Sequence, residues 1–364
     1  MNSIERKEER YKRRKLKRLT KNIERNNKYA DINTAFSFHK VMFYAEKCCN
    51  GVGYKKSTQN FKLHMFTNIA LCCYEIKNNK YVLHDTFSFQ INERGKVRDI
   101  DAPHIKDRLV HKVLTNEILY PIYMPHIIYD NGASMKNKGF KFSVDRVKYK
   151  LYNWVKKYGL NGYVVLIDFS KFFQNCNHDV IHEIHKKYIY NDYTIKVIED
   201  YLFIGEGIAL GVEIAQREAS VIPNLLDHFI QNNGCPIERY MDDTFFLVDD
   251  YSKAKELLNN YYLLCDKLHL RINKSKTKII KVGNYFTYCK WKYNIDSNGK
   301  VICIPARSTI YRQRRKLRKM YKLNLDINDI NITRTSFKAY LNIGNSYNYI
   351  KYLDSIGNNN KFIS

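Results

Sequence analysis

Two adjacent carboxylates, Asp242 and Asp243, follow Tyr240 and Met241 inside a stretch of β-forming residues. Pro236-Ile237-Glu238-Arg239 precedes them and Thr244-Phe245-Phe246-Leu247-Val248 follows. The pattern predicts strand, tight turn, strand, with both aspartates at the turn. Carboxylates so placed repel each other unless a cation neutralises them, and hard divalent cations prefer oxygen ligands. An isolated Asp-Asp turn is usually plain surface, so a second carboxylate site has to support it. Tyr163 to Phe169 supplies one, a run of β-formers that reaches Asp168, as expected of a buried central strand. A carboxylate there is costly unless it is paired or binds metal. Two strands carrying three carboxylates meet the need of two-metal phosphoryl chemistry. In that chemistry two Mg²⁺ ions activate an attacking hydroxyl and stabilise a leaving pyrophosphate.

The elements around these residues carry a resemblance. Asp168-Phe169-Ser170-Lys171-Phe172-Phe173, followed by a helix start at Asn177-His178-Asp179, resembles motif A of the reverse transcriptases, and Tyr240 to Asp243 resembles their motif C. Arg94-Gly95-Lys96-Val97-Arg98, with Ala102-Pro103 and Lys106-Asp107-Arg108, is similar to the fingers segment of bacterial, group II intron-like enzymes. Asn131 to Gly139 resembles the next fingers motif, Gly207 to Gln216 motif B with Gly211 as its glycine, Leu270 to Ile279 motif D, and Tyr285 to Trp291 the primer grip. The match runs in order from about Ile91 to Trp291. Ser336 to Leu341, with Gly344-Asn345-Ser346-Tyr347, resembles the thumbs of diversity-generating and defence-associated enzymes.

This resemblance implies roles. Asp168 and Asp242 would hold two Mg²⁺ ions, with Mn²⁺ a possible substitute, Asp243 beside them and the Phe169 carbonyl as a further oxygen ligand. Phe173 stands where the family carries an aromatic steric gate against the ribonucleotide 2′-hydroxyl. Arg98, Lys106 and Arg108 are candidates for the triphosphate, since cationic side chains suit phosphate oxygens. Lys276 is a candidate general acid for the departing pyrophosphate. Leu210, Gly211 and Gln216 would line the nucleotide pocket. Many reverse transcriptases carry Gln where this chain has Leu210, and Ser where it has Ala215. Both departures bear on fidelity and leave the metal chemistry untouched.

Composition is consistent with that family. The chain of 364 residues has a formal net charge of +26, which favours phosphate backbones. Frequent Lys, Asn, Ile and Tyr are also what an AT-rich genome yields. Arginine clustering is more telling: Arg13, Arg14 and Arg18 sit in a basic N-terminal stretch, and Arg312, Arg314 and Arg315 lie near the C-terminus. Both clusters are candidate nucleic-acid contacts. The nine cysteines form no Cys-x-x-Cys pair, which fits a reducing cytoplasm, and no apolar run approaches transmembrane length. His178, His182 and His185 fall near helical spacing, but His182-Glu183-Ile184-His185 has one residue after the glutamate where the zinc-protease motif has two.

The expected fold is α+β, a right-hand polymerase with an antiparallel palm sheet. The expected organisation is a basic arm at 1–30, fingers at 31–161, palm at 162–295 and a small helical thumb and tail at 296–364. Helices are expected around Val144–Val155, Ser252–Leu268, Ser308–Leu323 and Thr333–Leu341, and a loose tail at Gly357–Asn360. The resemblance implies an RNA-directed DNA polymerase of a prokaryotic or phage-infected cytoplasm. It would use dNTPs and an RNA template, including a dedicated noncoding RNA, make DNA, and act in antiviral defence with an accessory protein or as a homo-oligomer. The rivals are a diversity-generating retroelement enzyme and, in another class, a non-catalytic RNA-binding scaffold with a relic palm.

Overall fold

The structure is a computed structural model that describes residues 3–93 and 96–358, and the side chains of 4–92 and 97–353. Arg94 and Gly95 of the expected fingers motif lie outside the described residues. In chain order the elements begin with helices α1 (Ser3–Tyr29), α2 (Ile32–Ala35), α3 (Phe38–Cys49), α4 (Lys56–Leu63) and α5 (Met65–Lys77). A hairpin, β1 (Phe87–Glu93) and β2 (Lys96–Ala102), leads to α6 (Ile105–Val113), α7 (Tyr120–Tyr123) and α8 (Phe140–Tyr158). Then come β3 (Tyr163–Asp168), α9 (His178–Tyr188), α10 (Asp192–Leu202), α11 (Glu213–Val221) and α12 (Asn224–Asn232). The hairpin flanking the paired aspartates is β4 (Ile237–Tyr240) and β5 (Asp243–Val248), followed by α13 (Tyr251–Lys267) and β6 (Lys278–Lys281). The chain closes with β7 (Phe286–Tyr288), β8 (Trp291–Ile295), β9 (Val301–Pro305), α14 (Arg307–Lys322), α15 (Ile327–Leu341) and α16 (Tyr347–Asn358). Among the described residues the named strands pair antiparallel with one another, in agreement with the α+β expectation.

Two compact units emerge. The first comprises residues 1–127, 171–225 and 266–271. Its core is helical: α3 buries Val41, Tyr44, Ala45 and Cys48, the spacing of one helix face, and packs on α5 and α6. Asp107 on α6 is buried, and its carboxylate accepts hydrogen bonds from the Tyr81 hydroxyl at 2.8 Å and the His84 backbone N–H at 3.2 Å. That contact fixes the segment before β1. The basic N-terminal stretch forms the exposed helix α1, tied down near its end by Asn26, which donates to the Tyr188 carbonyl and accepts from the Tyr190 N–H.

Within this unit His178, His182 and His185 each take polar partners from the protein. Asn177 caps α9 by accepting from Val180 N–H, and Asn191 caps α10 in the same way. His182 and His185 both bond Glu199 through Nδ1, and His178 Nε2 lies 2.6 Å from the Gly207 carbonyl oxygen. His185 is fully buried, with Nε2 3.3 Å from Glu218, whose other neighbour is the Tyr123 hydroxyl.

The second unit comprises residues 128–170, 226–265 and 272–364. Its four-stranded sheet has the order β4-β5-β3-β6, so the strand ending in Asp168 is central as expected. Val164 and Leu166 alternate with Val165 and Ile167, and all four are buried, because both sheet faces are covered. On one face Val144, Val147, Leu151 and Trp154 of α8 pack against Val164, Leu166, Phe245 and Leu247. The same cluster includes Phe286, Trp291 and Tyr293 of the three-stranded sheet β7-β8-β9. Cys289 and Lys290, both with positive φ, make the tight β7–β8 turn.

The helical C-terminal part has its own core, formed by Ile310, Leu317, Ile330, Leu341 and Leu353. It is joined to β9 by an Asn345 N–H bond to the Cys303 carbonyl at 2.6 Å and a Cys303 N–H bond to the Asn345 side chain. Gly344 is required beside it: a Cβ there would lie 2.2 Å from the Trp291 ring. Helix α16 was not expected, and it continues through Gly357 and Asn358. Those two residues are therefore helical rather than loose, and Asn359 onward lies outside the described residues.

Burial alone pushes the His185 pKa down, but Glu218 and Glu199 outweigh it and raise it from 6.5 to about 9. The folded state thus holds a proton that the unfolded chain releases. The resulting stability is fully present below pH 6.5 and is lost as pH rises through about 9. We expect His185→Gln to flatten that loss, which is on the order of 3 kcal/mol in wild type. Urea midpoints of both proteins across this range check it.

Candidate active site

The site is built where β3 and β5 meet. Their register places Asp168 directly opposite Asp243, which itself pairs with Tyr240 across the hairpin. The hairpin turn contains only Met241 and Asp242, with Met241 at φ +53°. Here the structure corrects the expectation: Asp242 lies in the turn, whereas Asp243 is the first residue of β5. A two-residue turn leaves no room for both, and the step from turn to strand re-aims the second carboxylate.

Like charges directly opposite on neighbouring strands are destabilising. Burial, then Asp242 and Asp168, raise the Asp243 pKa from 3.8 to about 7. Lys276 supplies a counter-charge, its ammonium lying 2.9 and 2.7 Å from the two Asp168 oxygens. Although desolvation works against its charge, the bond to Asp168 raises the Lys276 pKa. The loop carrying Lys276 is anchored to the same strand end, because Asn273 N–H donates to the Asp168 carbonyl at 2.7 Å. Phe169 bridges to Ile272, with its ring buried.

Beneath the hairpin lies a buried polar frame that sequence reasoning missed. Arg239, Asp227 and Tyr261 are each fully buried. The Arg239 guanidinium donates to Asp227 at 2.5 Å, to the Tyr261 hydroxyl at 2.8 Å and to the Met241 carbonyl at 3.3 Å. One arginine therefore holds the backbone of the turn. From the neighbouring position, Glu238 meets the Tyr288 hydroxyl, which also lies 3.1 Å from the Asp243 carbonyl oxygen. Burial raises the Glu238 pKa from 4.5 to about 7. The Tyr288 hydroxyl, with one proton to give, donates to Glu238 and also lies within hydrogen-bond distance of the Asp243 carbonyl. The available signal was a Glu-Arg pair inside a four-residue strand of otherwise apolar setting.

The other candidate residues lie in the first unit, except Arg312, Arg314 and Arg315 of α14, which belong to the second. Phe172 is buried and Phe173 half-buried, their rings edge-on at 5.7 Å. The Phe173 carbonyl accepts from Ile208 N–H at 2.9 Å, and a Cβ on Gly207 would stand 2.3 Å from that oxygen. The Leu210 carbonyl accepts from Asp101 N–H on β2 at 3.2 Å. Gly211 has φ +100°, and a Cβ there would lie 3.1 Å from Ile100. The segment Leu210-Gly211 is thereby fitted against the hairpin that carries the exposed Arg98. Gln216 is exposed on α11. Lys106 and Arg108 are half-buried on α6, two residues apart, so they do not share a face. Arg13, Arg14 and Arg18 are exposed along α1, and Arg312 and Arg315 along α14, whereas Arg314 donates to the Tyr352 hydroxyl at 2.9 Å.

Removing Arg239 strands the Asp227 carboxylate. We expect Arg239→Met to cost about 3–5 kcal/mol, and the double replacement with Asp227→Leu to recover much of that loss. Urea unfolding of the single and double variants measures the coupling.

A family model described as reverse transcriptase (RNA-dependent DNA polymerase) matches residues 78–310. No curated protein matches the chain. Among solved structures, the chain is similar to apo telomerase from Candida tropicalis truncated from its C-terminal domain, at 14% identity and TM-score 0.45, over 64% of this chain and 59% of that one. It is also similar to apo telomerase from Candida tropicalis, at 13% and 0.46 over 58% and 47%, respectively. A third is telomerase from Candida albicans in complex with the TWJ fragment of telomeric RNA, at 11% and 0.48 over 78% and 60%. The chain thus spans less than two thirds of the length of each. With the match covering well over half of its residues, the chain belongs to the reverse transcriptase (RNA-dependent DNA polymerase) family.

Proposed function

We propose that this protein is an RNA-directed DNA polymerase that adds dNTPs to a DNA chain by two-metal nucleotidyl transfer. The observation that carries the reading is the convergence of Asp168, Asp242 and Asp243 at one strand end, with a lysine ammonium already drawn to Asp168. The donor set fits hard divalent cations, because every candidate side-chain ligand is a carboxylate oxygen and their mutual repulsion calls for positive charge. Mg²⁺, with Mn²⁺ as substitute, would be held by Asp168, Asp242 and Asp243 with the Phe169 carbonyl. When bound, two such ions supply activation of the primer hydroxyl and neutralisation of charge on the pyrophosphate.

The chain's own residues do the rest. The Arg239 frame holds the turn that presents Asp242. Lys276, its ammonium kept charged by Asp168, is the proton donor for the leaving pyrophosphate. Phe173 closes the space at the sugar 2′ carbon, a role supported by Phe172 taking the core position instead. Arg98 is the first candidate for the triphosphate, with Lys106 or Arg108 as a second. Leu210 and Gly211 shape the nucleotide pocket, and Gln216 extends it. The exposed arginines of α1 and α14 bind nucleic acid. In family terms the fingers, palm and thumb follow the boundaries 31–161, 162–295 and 296–364.

The biological role we propose is antiviral defence in a bacterial cytoplasm with an associated noncoding RNA, supported by the small thumb and by the apolar Leu210. A diversity-generating element is favoured by the same Leu210 and by Ala215. Sequencing the nucleic acids that copurify separates the two, because a diversity-generating enzyme carries cDNA copied from a template repeat. Retention of all three carboxylates speaks against a non-catalytic scaffold.

Asp168→Ala and Asp242→Ala should each abolish nucleotide incorporation in a primer-extension assay, without lowering the melting temperature measured free of metal. Each removes a ligand and relieves repulsion rather than core packing. Normal extension by either variant would overturn the assignment.

Phe173→Ala should raise the ratio of ribonucleotide to deoxynucleotide incorporation about tenfold or more, with a smaller effect on deoxynucleotide use, since discrimination is a difference in transition-state fit. An unchanged ratio would make Phe173 a packing residue.

A further inference from the structure

We infer that the outer face of α8, with the turn at Asn298–Lys300, is a stacking platform for single-stranded RNA. This inference rests on the polymerase reading for its choice of partner, and its geometry lies wholly within the second unit.

Helix α8 buries Val144, Val147, Leu151 and Trp154 against the sheet. Its opposite face carries Tyr149 and Tyr152, 54% and 50% exposed, and Tyr129 in the preceding loop is 66% exposed. These rings are not scattered. Lys138 lies over Tyr129 at 4.5 Å and over Phe142 at 5.0 Å. Arg146 sits between Tyr129 and Tyr149, at 5.4 and 4.7 Å from the two rings, and Lys156 is 5.1 Å from Tyr152. Rings and cations therefore alternate along one face, as single-strand binding requires: bases stack on rings and phosphates meet the intervening charges.

A cavity of about 550 Å³ adjoins this file, lined by Lys148, Tyr149, Tyr152, Gly299 and Lys300. Its far wall is fixed. The Asp296 carboxylate accepts from the Asn298 and Lys300 N–H groups, and a Cβ on Gly299 would stand 3.0 Å from Val155 of α8. The volume is in the range of small-ligand sites, large enough for an unstacked base with its ribose. The nearby carboxylates are already answered: Asp130 by Arg146 and Lys150, and Asp145 by Lys141 and Lys148. Lys138, Lys156 and Lys300 add positive charge beyond those pairs. An acidic or apolar partner protein would leave the cation–ring alternation unexplained, whereas a strand of bases and phosphates uses both.

RNA is the partner because an RNA-copying enzyme keeps its DNA product paired, so the strand available to unpaired bases is the template. Rings accept any base face, so the platform tolerates sequence, which suits a template that moves past it.

The test measures binding of a fluorescent 12-nucleotide single-stranded RNA, of single-stranded DNA of the same sequence and of a blunt RNA duplex of equal length. The proteins are wild type, Tyr149→Ala/Tyr152→Ala, and Tyr149→Phe/Tyr152→Phe. We expect the alanine pair to weaken single-strand binding about tenfold or more and the phenylalanine pair to stay within about twofold of wild type, because stacking survives in the latter. Duplex affinity should stay within about twofold of wild type in both, and 4-thiouridine RNA should crosslink to the peptide containing Tyr149 and Tyr152. Both side chains are exposed, and unchanged melting temperatures verify folding. Wild-type affinity in the alanine pair without a crosslink would overturn the inference. So would an equal loss for single strand and duplex, which describes a phosphate patch, or a loss for single-stranded DNA alone. Primer extension by the wild-type protein tests the polymerase reading separately.

Discussion

Repulsion between Asp168 and Asp243 is the constraint around which the second unit is arranged. Antiparallel pairing sets the two carboxylates opposite each other, and Asp242 adds a third negative charge from the adjoining turn. A sheet edge free to relax would splay. This one cannot, because β3 is central, flanked by β5 and β6 and covered on both faces. The electrostatic cost is therefore retained in the fold and expressed as a raised Asp243 pKa and a lysine held on Asp168. A site that is uncomfortable without positive charge is one that binds positive charge well.

Holding that arrangement takes polar groups where apolar ones would pack more simply. Arg239 and Glu238 occupy successive positions of one short strand, and each reaches a different backbone carbonyl of the turn region: Met241 in one case and, through Tyr288, Asp243 in the other. Hydrogen bonds in a low-dielectric interior are strong and directional, and a half-satisfied set is costly, so such a frame admits few alternative geometries. An apolar core could match its stability but would leave the turn carbonyls without a fixed direction.

Much of this was legible in the residues. The run from Tyr163 to Phe169 gave a central strand, which ends one residue earlier, at Asp168, because continuous β-formers around a carboxylate have few other readings. The helices at α8, α13 and α14 followed from period and fell within a few residues of expectation. The turn was misread by one residue, since strand pairing of Asp243 with Asp168 is a long-range fact that local propensity does not contain. Helix α16 escaped because Tyr347-Asn348-Tyr349 is a poor helix former, and packing of Leu353 into the C-terminal core overrides that preference. The Arg239–Asp227 pair was invisible for a similar reason: twelve residues apart in sequence, it exists only once β4 lies against the helix before it.

Helix α1 has a consequence of a different kind. At 27 residues it is about 40 Å long, and it is clamped to its unit at Asn26, near one end. Positive charges on a flexible tail must be ordered each time they engage a polyanion, and that entropy is subtracted from affinity. On a rod their spacing is set by helical pitch before any encounter, so the ordering has been completed during folding. In the proposed nucleic-acid role, such an arm would favour polyanions whose phosphate spacing matches its own register over those that are merely negative.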